Sequence, residues 1–163
     1  MTTDELMMMI DKKVEDNFQK ELAAKKKRED ETKELKQKIH DLQPRIAKVI
    51  LLGNYAEGNG IKLNNSGGCC REGYDTGYFY TNSWSHLVGF VKDESGEIVK
   101  MGIAKGGACG DINFYTDGTD IYGYDTRTKT EVEPLFYDMK RFVEAFDDFE
   151  TALFEYIEKR CKL

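Results

Sequence analysis

Proline and glycine are both absent between residues 2 and 43, and their absence removes the usual signals that interrupt a helix. The simplest prediction is one helix of about 40 residues, roughly 60 Å long at 1.5 Å per residue. A compact domain of this size is only about 40 Å across, so such a helix either pairs with another copy or breaks near the basic cluster at residues 25–28. Pro44 lacks an amide hydrogen and crowds the preceding turn, which predicts a kink or a restart there.

Long apolar runs are absent as well. The chain has no stretch of 18 or more apolar residues, and its first ten residues include acidic side chains where a signal peptide would be basic. We therefore expect a soluble protein of the cytoplasm that has no contact with a membrane.

Cysteine and histidine are scarce, with four and two residues in the chain. Cys69 and Cys70 are adjacent and Cys161 lies near the end of the chain, a pattern that favours reduced thiols over a disulfide framework. Adjacent cysteines cannot replace a spaced pair of chelating ligands. We therefore predict no metal site and no cofactor.

Acidic charge is concentrated in the middle of the chain. Residues 53–133 hold 12 acidic and 7 basic side chains, whereas residues 1–52 hold 11 acidic and 12 basic ones. An acidic core argues against general nucleic-acid binding, which needs lysine and arginine to replace counterions. The basic cluster at residues 25–28 is followed by three acidic residues, and we interpret it as a solvated helix face.

Apolar residues at alternating spacings of four and three give the N-terminal segment a coiled-coil-like pattern. The pattern begins at Met7, Val14 and Phe18, but its next core positions, at residues 21, 25, 28 and 32, are polar or charged. It then strengthens into a seam that we predict to hold a dimer or a higher oligomer. The residues of this predicted seam are Leu35, Ile39, Leu42 and Ile46.

The C-terminal segment repeats the same spacing with larger side chains. So many phenylalanines favour packing against a sheet over a thin seam between two helices, so we predict a core helix. Its buried positions are Met139, Phe142, Phe146, Phe149, Leu153 and Ile157.

Between residues 53 and 133 the hydrophobic period changes from helical to alternating, as in β-strands. Turn chemistry at residues 93–96 predicts a hairpin closed by Lys92 and Glu97, and the sequence Asp117-Gly118 predicts a second hairpin. The first register pairs Phe90 with Val99, Val88 with Met101, and His86 with Ile103. The second register pairs Phe114 with Ile121 on the buried side and Asn113 with Tyr122 on the other.

Together with further strands at residues 61–63 and 78–81, these elements predict an α+β fold. It consists of a long N-terminal coiled-coil-like helix, an antiparallel β-sheet of four to six strands, and a C-terminal helix packed on the sheet. We place the boundary between a helical oligomerisation segment, residues 1–52, and a sheet domain with its covering helix, residues 53–163.

Two glycine-rich segments, residues 66–70 and 106–111, are the candidates for a binding site. Glycine lets backbone amides approach an anion or a ring closely, and nearby aromatic side chains can stack on a base. The alternative is that these glycines only form bulges or tight turns. The residues predicted to bind a ligand or a partner are Trp84, His86, Lys105, Gly106, Gly107, Cys109, Asp111, Tyr74 and Tyr78.

Cysteine catalysis is the enzymatic alternative for some of the same residues. Cys109, His86 and Asp111 have the residue types of a nucleophile, a base and an orienting group, but nothing beyond residue type and inferred proximity supports them. We therefore predict a protein without enzymatic activity.

Four parts of the chain carry a resemblance to other proteins: residues 73–76, residues 82–90, residues 106–109, and the helix at residues 142–149. They resemble small uncharacterised proteins encoded by bacteriophages and by mobile elements of bacteria. The resemblance extends over residues 44–160 and is one of pattern, without a catalytic signature. It implies a setting in which short accessory proteins block host defence, by masking a nuclease complex or by sequestering a nucleotide signal.

We therefore expect a non-enzymatic, oligomeric binding protein that acts as a counter-defence inhibitor in the cytoplasm of a bacterial host cell. Its expected partner is a host protein or a nucleotide-type small molecule. One alternative is a structural or assembly protein of a virion or mobile element, and another is a small enzyme that depends on Cys109 and His86.

Overall fold

The computed structural model describes residues 1–61, 63, 76–80, 87–105, 111–125 and 127–161, with the backbone alone at 76–80, 87–88, 104–105 and 111–113. The helices are α1 (Thr3–Asp41), α2 (Gln43–Gly58) and α3 (Phe136–Cys161). The strands are β1 (Thr76–Tyr80), β2 (Leu87–Lys92), β3 (Ile98–Lys105), β4 (Asp111–Thr116), β5 (Ile121–Asp125) and β6 (Thr130–Val132). They form one antiparallel sheet in chain order, which confirms the predicted α+β fold.

The chain divides into two compact units, Met1–Glu34 and Leu35–Leu163. The boundary predicted between residues 52 and 53 falls inside α2, whose buried residues include Ile46, Val49 and Gly53. Helix α2 therefore supplies side chains to the core of the second unit.

The first unit is helical, and its N-terminus is capped by a reciprocal pair of hydrogen bonds. The Glu5 amide donates to Thr2 Oγ1 at 3.2 Å, and the Thr2 amide donates to the Glu5 carboxylate at 3.0 Å. This arrangement is a capping box. The helix continues through residues 25–28, where a break was one of the two predicted outcomes. Every residue from 1 to 30 is exposed.

Helix α1 ends at Asp41, and α2 begins at Gln43 with Pro44 in its first turn. The Ile46 amide donates to the Leu42 carbonyl at 2.8 Å as the new helix starts. The predicted restart at Pro44 is confirmed, because a first-turn residue needs no amide hydrogen for the helix ladder.

A hydrophobic core forms between one face of the sheet and the helices α2 and α3. Phe90 on β2 contacts Phe149 on α3, with ring centroids 5.6 Å apart, and Phe114 on β4 contacts Phe142 at 5.4 Å. All six positions predicted for the buried face of α3 lie in this core. The prediction that the C-terminal helix covers the sheet is therefore confirmed.

Leu35, Ile39 and Ile46, which were predicted to form an oligomer seam, lie in this same core. Leu42 is only partly buried and packs against it. A heptad pattern predicts a buried helix face but cannot specify whether the covering surface belongs to the same chain. Oligomerisation through residues 1–52 stays a prediction, and these three buried side chains are not exposed to a second copy.

The first hairpin forms where predicted, but the predicted register is wrong by two residues. Phe90 pairs with Met101 and Val88 pairs with Ile103, instead of the predicted pairs Phe90–Val99, Val88–Met101 and His86–Ile103.

Two offsets of one residue cause this shift. The loop is closed by a hydrogen bond from the Asp93 amide to the Glu97 carbonyl at 2.9 Å, with Gly96 in the left-handed region at φ 85°. A bulge in β3 follows. Lys100 faces Val91 and Ile98 faces Lys92, so Val99 between them has no facing residue. The loop closure and the bulge each add one residue to the β3 side of the hairpin.

A shift of two residues keeps side chains on their predicted faces, because strand side chains alternate with a period of two. Phe90, Met101 and Ile103 are accordingly all buried. The bulge exchanges one core residue, so that Ile98 is buried where Val99 was predicted.

The second hairpin has a four-residue loop, residues 117–120, with Thr116 opposite Ile121. Phe114 therefore faces Gly123 and Tyr115 faces Tyr122, so the predicted pairs Phe114–Ile121 and Asn113–Tyr122 are wrong. Side chains hold the longer loop. Asp117 Oδ1 accepts the amides of Thr119 and Asp120 at 2.8 and 2.7 Å, and Thr116 Oγ1 donates to the Asp120 carbonyl at 2.6 Å.

This loop packs on the junction between α1 and α2. His40 Nδ1 donates to the Gly118 carbonyl at 3.0 Å. Gly118 has a φ of 90°, and a Cβ atom built on it would lie 2.6 Å from the Cα atom of Gln43. Both the backbone conformation and the close approach therefore require glycine at this position.

The predicted strand at residues 61–63 is also wrong for its described residues. Ile61 and Leu63 belong to no strand, and Leu63 is instead a core residue that is 1% exposed. The strand predicted at residues 78–81 corresponds to the end of β1.

Candidate functional site

Most of the predicted binding residues lie outside the described part of the chain. Lys105 and Asp111 are backbone partners at adjoining ends of β3 and β4, and Tyr78 lies in the middle of β1. The other predicted binding residues lie outside the described ranges and stay a prediction: Tyr74, Trp84, His86, Gly106, Gly107 and Cys109.

One row of facing residues connects Tyr78 to two tyrosines that the sequence prediction did not select. The row runs across five strands as Tyr78, Gly89, Gly102, Tyr115 and Tyr122. Facing residues of an antiparallel sheet share one face. The neighbouring residue Phe114 points into the core beneath α3, so Tyr115 and Tyr122 belong to the opposite face of the sheet.

Tyr115 and Tyr122 stack on each other in this row. Their ring centroids are 5.1 Å apart, and the ring planes meet at 25°. The Lys100 ammonium lies 4.3 Å from the centroid of Tyr122 and 5.0 Å from that of Tyr115. These distances are within the range of cation–π attraction, so the two rings hold a cation of their own chain.

Carboxylates surround the paired rings. The Tyr115 hydroxyl donates to Glu131 Oε1 at 2.9 Å. Burial raises the pKa of Tyr122, and a hydrogen bond with Asp120 and the negative charges of Asp120, Glu131 and Asp117 raise this pKa further. We refer to Lys100, Tyr115, Asp117, Asp120, Tyr122 and Glu131 as the tyrosine patch.

The tyrosine patch offers solvent mainly its acidic groups. Tyr115 is only 9% exposed, whereas Asp120 and Glu131 are exposed residues. Three carboxylates stand against one ammonium, and that ammonium is already stacked on the rings. The charge that these six residues present to solvent is therefore negative, which favours positively charged groups on a ligand or a partner.

The sequence predicts the faces of both tyrosines but not their pairing. The predicted hairpin places Tyr122 on the outward face of β5, and the same alternation in β4 puts Tyr115 outward as well. The pair was missed because the four-residue loop moves Tyr115, and not Asn113, opposite Tyr122. Lys100 and Glu131 come from other strands, and only the register of the whole sheet brings them to the rings.

The first unit carries a second exposed surface. Met7, Ile10, Val14, Phe18 and Leu22 follow one another along α1 at spacings of three and four residues, and each is between 45% and 63% exposed. We refer to these five residues as the apolar stripe. Apolar side chains lined up on one exposed helix face are typical of helix-mediated protein interactions.

Arg45 forms a charged cluster on the helical side of the sheet. Its guanidinium donates to Glu150 at 2.8 and 3.2 Å and to Asp147 at 2.6 Å, and it lies 4.9 Å from the ring centroid of Phe146. The hydrogen bonds with Glu150 and then Asp147 raise the pKa of Arg45 above its ordinary value. Because Arg45 lies on α2 and its partners on α3, this cluster connects the two helices.

The described ranges contain no group of three histidine, cysteine, aspartate or glutamate side chains that could hold a metal ion. In the same ranges, every helix is too short or too polar to cross a bilayer. Comparison of the chain with protein-family models, curated proteins and solved structures finds no match.

Proposed function

We propose that the protein is a non-enzymatic binding protein whose tyrosine patch contacts a basic surface on a partner protein. The observation that carries this proposal is the group of carboxylates around the stacked rings of Tyr115 and Tyr122. Lysine and arginine side chains can pair with carboxylates and pack against tyrosine faces at the same time.

The charge of the patch favours this partner over a nucleotide. A nucleotide would bring phosphates next to Asp117, Asp120 and Glu131, and like charges placed together oppose binding. Lys100 is the one cation of the patch, and it already lies over both tyrosine rings. Sequestration of a nucleotide signal is therefore the less supported form of the expected inhibitor.

A basic protein surface is commonly a nucleic-acid-binding surface. A protein that covers such a surface competes with nucleic acid, which fits the counter-defence role implied by the resemblance to proteins of phages and mobile elements. We extend the proposal to this role: in the cytoplasm of a bacterial host, the protein would mask a nuclease complex.

A structural or assembly role is the second candidate, and the apolar stripe favours it. A helix of 39 residues with exposed Met7, Val14 and Phe18 has the form of a scaffold that recruits further chains. This role predicts large assemblies, whereas the inhibitor role predicts small discrete complexes.

Binding of the full chain to poly-L-lysine, measured by isothermal titration calorimetry, tests the proposed surface. The patch variant is the double substitution Asp120→Lys and Glu131→Lys. Its matched control is Glu155→Lys with Glu158→Lys, which changes the same number of charges at exposed positions of α3. We expect the patch variant to bind at least about tenfold more weakly than the wild type, and the control to change affinity by much less.

Equal losses in the two variants would show that net charge alone drives binding, and would overturn the proposal. Binding of ATP to the wild type without any binding of poly-L-lysine would do the same, and would favour nucleotide sequestration instead.

A further inference from the structure

The apolar stripe has a symmetry in the sequence that points to its partner. Val14 and Phe18 lie two residues on either side of Asp16, and Ile10 and Leu22 lie six residues on either side of it. When two copies of α1 run antiparallel with Asp16 at the centre, Val14 of each copy lies opposite Phe18 of the other. Ile10 of each copy likewise lies opposite Leu22. The four side chains thus cover each other without a gap.

The charges along α1 follow the same centre. Residues 4–15 carry four acidic and two basic side chains, whereas residues 17–28 carry five basic and one acidic side chain. Antiparallel alignment about Asp16 places each acidic segment opposite a basic segment. Parallel alignment places acidic segments together and basic segments together, which is unfavourable.

The exposure of α1 makes this pairing physically useful. Every residue from 1 to 30 is exposed. Helices gain most of their stability in proteins by burying an apolar face, and this one buries none of the stripe within its own unit. A second copy of α1 supplies a stripe of identical length. Its acidic residues 4–15 then lie opposite the basic residues 17–28 of the first copy.

We infer that the protein forms a homodimer in which two α1 helices pair antiparallel about Asp16 through the apolar stripe. The seam consists of residues 10–22 and not of the predicted seam from Leu35 to Ile46, most of which is buried in the chain's own core. The dimer surface and the tyrosine patch have no residue in common, so the failure of one proposal leaves the other standing.

Charge reversal tests both the pairing and its direction. The first variant carries Asp4→Lys and the second carries Arg28→Glu. In the antiparallel pair, Asp4 of one copy lies opposite Arg28 of the other. Both positions are exposed, and Glu5 of the capping box is left in place.

Sedimentation equilibrium of the full-length chains gives the readout. We expect the wild type to dimerise, each variant alone to associate at least about tenfold more weakly, and an equimolar mixture of the two variants to recover association near that of the wild type. The mixture recovers because one end of the mixed dimer pairs the introduced lysine with the introduced glutamate, and the other end keeps the native pairing of Asp4 with Arg28. The matched control, Asp16→Lys, makes the same charge change as Asp4→Lys on the helix side away from the stripe and should associate like the wild type.

A wild type that stays monomeric at high micromolar concentration would overturn the inference and leave the stripe to a different protein. A mixture that associates as weakly as the separate variants would overturn the antiparallel arrangement. Circular dichroism of each variant confirms that α1 remains helical, so weakened association cannot be mistaken for loss of the helix.

Discussion

Asn54 binds both backbone groups of Ile98. Its Nδ2 donates to the Ile98 carbonyl at 2.9 Å, and its Oδ1 accepts the Ile98 amide at 2.8 Å. Ile98 is the first residue of β3 and directly precedes the bulge at Val99. The Asn54 side chain, on α2, therefore takes the place of a neighbouring strand where the regular hydrogen-bond ladder is interrupted. It joins the helix to the sheet.

We expect Asn54→Ala to destabilise the protein by about 1–3 kcal/mol, because the substitution leaves two part-buried backbone groups without their partner. Asn59→Ala is the matched control, since the Asn59 side-chain amide donates to the Tyr55 carbonyl at the exposed end of α2. Urea denaturation measures both variants. Equal stability of the two would show that the Asn54 contacts do not hold β3 in place.

A comparison of substitutions at Gly118 and Gly96 separates the effect of backbone strain from that of steric contact. Both have positive φ, 90° and 85°, but a Cβ on Gly96 would meet nothing within 4 Å, whereas one on Gly118 would meet Gln43 at 2.6 Å. We expect Gly96→Ala to cost about 1 kcal/mol from conformation alone, and Gly118→Ala to cost roughly 2–4 kcal/mol because the α1–α2 junction must also move. Thermal unfolding of both variants gives the comparison, and similar melting temperatures would contradict the close packing at Gln43.

Asp93 makes the first hairpin sensitive to acid. The hydrogen bond from the Ser95 hydroxyl, at 2.6 Å, and then that from the Glu97 amide, at 3.0 Å, lower the pKa of Asp93. A carboxyl group with a lower pKa in the folded state stabilises the fold above its unfolded pKa of about 3.9, and this stabilisation is lost as the pH falls through the folded value.

Asp93→Asn should therefore lower the melting temperature at pH 7, and its difference from the wild type should shrink as the pH is lowered towards about 3. Glu94→Gln, at the exposed neighbouring position, is the control and should leave the pH profile unchanged. A difference that stays constant between neutral and acidic pH would show that Asp93 contributes through shape and not through charge.

The two parts of α1 should respond differently to truncation of apolar side chains. Ile39 is fully buried, and Ile39→Ala is expected to destabilise the fold by about 2–5 kcal/mol. Val14 and Phe18 are exposed, so Val14→Ala with Phe18→Ala should leave chemical unfolding of a dilute sample unchanged within about 0.5 kcal/mol. A large loss of stability in the second variant, under conditions where the chain is monomeric, would mean that these side chains are part of the fold.

The sequence by itself determined the types of the elements and the faces of most of them. The spacing of Met139, Phe142 and Phe146 predicts the buried side of α3 because a helix face is set by a period of 3.6 residues, whatever lies against it. The restart at Pro44 follows in the same way from the chemistry of proline. The faces of Phe90 and Met101 were predicted correctly although their register was not, because an even shift preserves the alternation of a strand.

The tertiary structure decided which strand residues face each other and which surface covers each apolar helix face. The register of both hairpins depends on the left-handed Gly96, the bulge at Val99 and the side-chain bonds of Asp117, and one residue more or less in a loop cannot be read from hydrophobic period. The tyrosine patch depends on the register in the same way, because its residues come from four strands and the loop between β4 and β5. Likewise, Ile39 and Val14 follow the same heptad spacing, but Ile39 is buried in the core of the second unit and Val14 is exposed. A helix pattern shows that a face is apolar but not which surface covers it.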